Sequence, residues 1–197
     1  MEAAWTGFLR GSGRAGHAVQ VYRGAIMDSG RPSAHRFDAV VGGLIDQVVA
    51  QFPGRRIRAF GEMVDLLAER GNMAAAAALE DLWNRLARRR PFSLLCGYRV
   101  DVFDRGAQIA VLPEVCRAHS HVLPAEDPER LERAVDAALE ETLGSQAGQV
   151  YALIGQHLHR KHVPPAQLAL MWVSSQMPQS AERILESARE HYRSTAG

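Results

Sequence analysis

Residues 56–98 read RIRAFGEMVDLLAERGNMAAAAALEDLWNRLARRRPFSLLCGY. Ile57-Arg58-Ala59-Phe60, introduced by Arg56, is a short strand, and Gly61 turns the chain into a short helix from Glu62 to Leu67. Gly71-Asn72 ends that helix, because glycine reaches the left-handed conformation a helix terminus uses. Residues 73–89 are alanine-rich and place Leu79, Leu82, Trp83 and Leu86 on one face, which predicts a helix broken at Pro91. Phe92 to Tyr98 is an apolar run bounded by Pro91 and by polar residues, the pattern of a buried strand in a parallel sheet. The stretch therefore predicts an α/β fold with a small, mainly parallel sheet flanked by helices.

Upstream, Phe37, Val40, Val41, Leu44, Ile45, Val48, Val49 and Phe52 recur at three- and four-residue steps. They predict one amphipathic helix, N-capped by Ser33 and stopped by Pro53-Gly54. His17 to Tyr22 alternates weakly and is a third candidate strand; residues 1–16 show no periodicity and read as a flexible leader. Gly11, Gly13 and Gly16 match a dinucleotide fingerprint in spacing alone, without the strand before and helix after that the chemistry needs.

Downstream, a helix is predicted over 107–119 with a weak point at Pro113, then a loop to Asp127. Asp127-Pro128 is a cap and first-turn pair, and four helical stripes follow. The natural division is a leader 1–16, an α/β domain 17–127 and an all-helical extension 128–197.

Composition limits function. Hydrophobic residues make up 47% and charged residues 23% of the 197, which suffices for a buried core. The formal net charge of +1 favours neither nucleic acid nor an anionic membrane as partner. Residues 128–197 hold seven Arg/Lys against eight Asp/Glu, so a DNA-binding tail is a lower-ranked alternative. No apolar run reaches the roughly 20 residues of a membrane span, and two cysteines, Cys96 and Cys116, fit a reducing cytoplasm better than a disulfide scaffold. Lys161 is the only lysine and has no glycine-rich loop before it, so P-loop ATP hydrolysis is not expected and the chain reads as non-enzymatic.

Four segments share one resemblance. Arg58-Ala59-Phe60-Gly61-Glu62-Met63-Val64, Leu79-Glu80-Asp81-Leu82-Trp83-Asn84, Pro91 to Tyr98 and Cys116 to Glu126 resemble, in order, signatures of the MEDS family, the methanogen/methylotroph sensory domain. The resemblance spans roughly 17–126. It implies a degenerate relative of RecA/KaiC-like P-loop proteins used in ligand sensing, signal transduction or transcriptional regulation, with regulators or histidine kinases as protein partners. Only residues 23–30 separate Tyr22 from Arg31, where the family carries a longer stretch with the nucleotide-loop region.

The candidate ligand-binding residues are Glu62, Cys96, Tyr98, His119 and His121, all at or near strand and helix ends. Glu62 follows the first strand at the sheet's carboxyl edge, where open α/β sheets bind ligands; a first-turn glutamate favoured by the helix dipole is the plainer reading. Cys116, His119 and His121 are a candidate Zn²⁺ set that Glu126 or Cys96 would complete, an alternative that would make the chain a metal-binding protein or metal-dependent enzyme. The plainer reading is a buried thiol beside helix-end hydrogen bonding. His157, His159 and His162 read as an exposed helix end rather than a phosphoacceptor site. With about three strands, the sheet leaves an open edge and an uncovered apolar face, which predicts a homodimer.

Overall fold

The computed structural model describes the backbone of residues 6–11, 17–20, 26–125, 127–157 and 163–194, and the side chains of residues 26–125, 127–155 and 163–194. The chain divides into two compact units, Met1–Arg99 and Val100–Gly197. The boundary lies before the 107–118 helix rather than near 127, because that helix buries Leu112 and Cys116 in the core of the second unit.

The first unit holds a four-stranded sheet in the order β2-β1-β5-β6, with β1 at Thr6–Gly11, β2 at His17–Gln20, β5 at Ile57–Gly61 and β6 at Phe92–Cys96. A two-stranded ribbon, β3 (Met27–Asp28) and β4 (Arg31–Pro32), stands apart from it. Two expectations are corrected here. Thr6–Gly11, read as leader, is a strand, and it pairs antiparallel with both β2 and β5. The sheet is therefore mixed rather than mainly parallel: β5 and β6 are its parallel pair, in register Ile57↔Phe92 to Gly61↔Cys96. The reason is the connection. β1 and β2 are joined by only the Gly-containing segment 12–16, and a connection that short permits antiparallel pairing alone. The segment with the dinucleotide-like glycine spacing is thus followed by a strand, not by the helix that phosphate binding requires.

Parallel neighbours need a long crossover, and residues 62–91 supply it as α2 (Met63–Glu69) and α3 (Met73–Ala87). Gly71 takes φ +72° to end α2, and Asn72 caps α3 by accepting from the Ala75 amide at 3.1 Å. Upstream, α1 covers 34–51, running from Ala34–Phe37 through a π-helical turn at Asp38–Gly42 into Gly43–Gln51. Ser33 caps it as expected, accepting from the Arg36 amide.

Phe37 and Ile45 of α1, Val64 and Leu67 of α2, and Leu79, Trp83 and Leu86 of α3 form one core, against which Phe92, Leu94 and Cys96 of β6 pack. Trp83 meets Phe37 edge-on at 5.0 Å and Phe92 at 6.1 Å. The other face of the strand pair shows Arg58, Ser93 and Leu95 to solvent, Leu95 being 63% exposed. β6 is accordingly a half-exposed edge strand, not the buried strand its apolar run suggests.

Arg90, just before β6, locks α1. Its guanidinium donates to Asp38 at 3.0 Å and to both oxygens of Asp46 at 2.8 Å. The planar fork lies against Gly42, where a Cβ would stand 3.0 Å from the Arg90 Cζ. The Arg90 hydrogen bond holds the Asp46 carboxyl below its ordinary value, so the clamp is complete above that value and lost as pH falls through the lowered one.

In the second unit, α4 covers 107–118, a π-helical turn at Ala107–Val111 running into Leu112–Ala118. Four helices follow, α5 (Pro128–Leu143), α6 (Ala147–His157), α7 (Pro165–Gln176) and α8 (Pro178–Ser194). Asp127 caps α5 by accepting from the Arg130 amide at 2.9 Å. α7 is buried nearly all round, from Ala166 to Ser174, the signature of a central helix. None of the helices described is long and apolar enough to cross a membrane.

Replacing Trp83 by alanine removes the ring that joins α1, α3 and β6, and an expected loss of about 3–5 kcal/mol will appear in thermal melts; an unchanged Tm contradicts this packing. Gly42→Ala tests the clamp: alanine gains about 1 kcal/mol over glycine in an open helix, and that gain is expected only in an Arg90→Ala background. Equal gains in both backgrounds, by urea denaturation, remove Arg90 as the reason for glycine.

Candidate functional site

Among the described residues, the buried carboxylates of the first unit, Glu80 and Asp65, bond residues at and just beyond the carboxyl end of β6. β5 ends at Gly61 and β6 at Cys96, directly opposite each other, and the Gly97 amide donates to the Gly61 carbonyl at 3.0 Å. The chain then runs out through Tyr98 and Arg99.

Glu80 is the centre. It lies on the buried face of α3 with Ala76 and Trp83, and only 3% of its surface is exposed. A buried carboxylate is tolerable only with donors. Tyr98 donates its hydroxyl to Oε1 at 2.5 Å, and the Cys96 thiol donates to Oε2 at 3.8 Å. Burial, with the Glu80 charge second, pushes both the Cys96 thiol and the Tyr98 phenol well above their ordinary values. Both groups are therefore neutral donors at physiological pH.

A second buried carboxylate holds the next residue. Asp65 of α2, 5% exposed, accepts from the Arg99 amide at 2.7 Å and from its Nε at 2.9 Å. Glu69 takes the Arg99 Nη2 at 3.1 Å. Glu62 stands exposed at the start of α2, without a capping bond of its own, and adds negative charge near Arg99. Its Cγ lies beside Gly97, 3.8 Å from where a Cβ would be.

Of the residues singled out in the sequence, Glu62, Cys96 and Tyr98 thus come together at one edge. Cys116, His119 and His121 belong to the second unit and do not converge on one point. Cys116 is buried with its Sγ 4.0 Å from the Met171 Sδ. His119 follows the last residue of α4 and donates from Nδ1 to the Val115 carbonyl at 2.8 Å. His121 is exposed, its Nδ1 3.2 Å from the Ser120 hydroxyl. One irregular residue separates the two histidines, and the helix ends before it, so the three-residue step that aligns Cys116 with His119 does not extend to His121. Glu126, His159, Lys161 and His162 lie outside the described residues, as does the side chain of His157.

Sequence reading missed Glu80 and Asp65 as site residues. The signal was present: each is a carboxylate on a helix face whose neighbours are apolar, Glu80 between Leu79 and Trp83 and Asp65 between Val64 and Leu67.

The fold and site define a small α/β domain with its polar group at the carboxyl ends of parallel strands, where such sheets place binding sites. Residues 9–120 match the family model described as the MEthanogen/methylotroph, DcmR Sensory domain, MEDS; the match spans more than half of the chain, which belongs to that family. The match begins inside β1, eight residues before the expected start. No curated protein matches the chain significantly, and neither does any solved structure.

Tyr98→Phe removes the Tyr98 hydroxyl donor from the buried Glu80 carboxylate. The expected cost is about 1–3 kcal/mol in chemical denaturation, whereas Ser93→Ala on the exposed face of the same strand stays within about 0.5 kcal/mol. Equal effects of the two substitutions contradict the assignment of Tyr98 to the buried group.

Proposed function

We propose that this chain is a non-enzymatic sensory module of signal transduction or transcriptional control, in which a small ligand is read at the Glu80–Cys96–Tyr98 edge. The reading is passed into the helical unit through the chain itself. One observation carries the proposal: among the described residues, the two buried carboxylates of the first unit, Glu80 and Asp65, bond residues in the segment 96–99, the last before the second unit begins. A ligand that engages Glu80 Oε2 displaces the hydrogen bond that the Cys96 thiol donates to it. Two arrangements of the outgoing segment then exist, and the ligand shifts their populations by its differential affinity for them.

The membership in a sensory family supports this reading. Descent from RecA/KaiC-like proteins belongs to the same proposal, supported by the parallel β5/β6 pair with its site at the carboxyl edge. So do a regulator or histidine-kinase partner and a homodimer, the latter supported by the edge position of β6 and the exposure of Leu95.

Amide hydrogen exchange on the full chain tests the coupling without knowledge of the ligand. Tyr98→Phe is expected to speed exchange across residues 97–105 while α1 keeps its protection. Unchanged exchange in 97–105 refutes the role of the Glu80–Tyr98 contact in holding the outgoing segment.

A further inference from the structure

We infer that the Glu80–Cys96 pair is a binding site for a thiophilic divalent cation, of the class of Zn²⁺, Co²⁺ or Cd²⁺, and that this ion is what the edge described above reads. The inference rests on the sensory reading of that edge and names its ligand class.

Three observations carry it. The first is spacing: Cys96 Sγ and Glu80 Oε2 lie 3.8 Å apart. An ion with a metal–sulfur bond of about 2.3 Å and a metal–oxygen bond of about 2.0–2.2 Å holds two such ligands roughly 3.5–4 Å apart. The pair needs no rearrangement of either backbone. The second is support. Tyr98 donates to the other oxygen of Glu80, so Oε1 is occupied and Oε2 is turned to the thiol. An outer hydrogen bond that fixes a ligating carboxylate is the usual companion of a metal site. The third is placement. Cys96 ends β6 and is half-buried, Glu80 is buried, and Glu62 is an exposed carboxylate beside Gly97.

The ligand set selects the ion. A thiolate favours the borderline and soft divalent cations over Mg²⁺ and Ca²⁺, which prefer oxygen alone. Binding converts the Cys96 thiol and the free ion into a sulfur–metal bond and a proton released to solvent.

The chain carries two cysteines, which makes the experiment direct. The full-length protein, freed of metal with a chelator, is titrated with Cd²⁺ and Co²⁺ while the ultraviolet thiolate-to-metal charge-transfer band is recorded. The wild type and Cys116→Ser are expected to develop the band, Cys96→Ser to lose it, and Tyr98→Phe to bind about tenfold more weakly. In the unsubstituted protein, Cd²⁺ is expected to slow alkylation of Cys96, followed by peptide mass. Absence of the band from the wild type, its survival in Cys96→Ser, its loss in Cys116→Ser, or alkylation of Cys96 unaffected by Cd²⁺ overturns the inference. Should the band be absent while exchange at 97–105 still depends on Tyr98, the metal falls and the sensing edge stands.

Discussion

A carboxylate buried in an apolar helix face has to be met by donors, and much of the first unit is arranged around meeting one. Glu80 occupies a position on α3 that helix periodicity would give to an apolar residue. An unmatched charge there costs several kcal/mol. The Tyr98 hydroxyl and Cys96 thiol remove that cost, but only if β6 ends beside α3 and the chain leaves along one path. The same logic repeats one helix earlier, where Asp65 requires the Arg99 amide and guanidinium. Two demands for hydrogen bonds thus fix the course of residues 96–99 more tightly than apolar packing would, because packing tolerates sliding and directed hydrogen bonds do not.

The crossover that makes this edge is a balance of simple parts. An alanine-rich helix lets α3 approach the sheet closely, Gly71 and Asn72 divide it from α2, and Arg90 anchors the return to β6. Arg90 reaches Asp38 and Asp46, which stand eight residues apart on α1 with Gly42 midway. The π-helical turn at Asp38–Gly42 begins on the first of these carboxylates. Such turns widen a helix locally, and here the widened segment faces a guanidinium rather than a packed side chain.

The second unit buries polarity differently. Gln167 of α7 and Gln108 of α4 are both almost fully buried, and their amides pair at 2.8 Å, with Gln108 donating on to the Val102 carbonyl. A neutral amide oxygen here accepts from a neutral amide nitrogen, where a carboxylate would need a charge-assisted donor. α8 closes the unit from outside: Arg130 stacks on the Tyr192 ring at 4.1 Å, Arg189 meets Asp101 at 2.7 Å, and Glu141 receives both Ser187 and His191.

Periodicity and punctuation alone determined the helices from α1 to α8, the caps at Ser33 and Asp127, the strands β5 and β6, and the crossover between them, because these depend on neighbours three or four residues away. The family signature was legible for the same reason, as short runs such as Arg58 to Val64. Tertiary structure decided what local pattern cannot carry. β1 has no helical or turn signal of its own and becomes a strand only by pairing with β2 and β5. β6 looks buried in the sequence and is an edge, since burial of a strand depends on how many neighbours it acquires. Cys116, His119 and His121 are close in sequence and separate in space, because the helix ends between them. Glu80 and Cys96 are sixteen residues apart and meet at 3.8 Å, because a strand end and a helix face are brought together by the core beneath them.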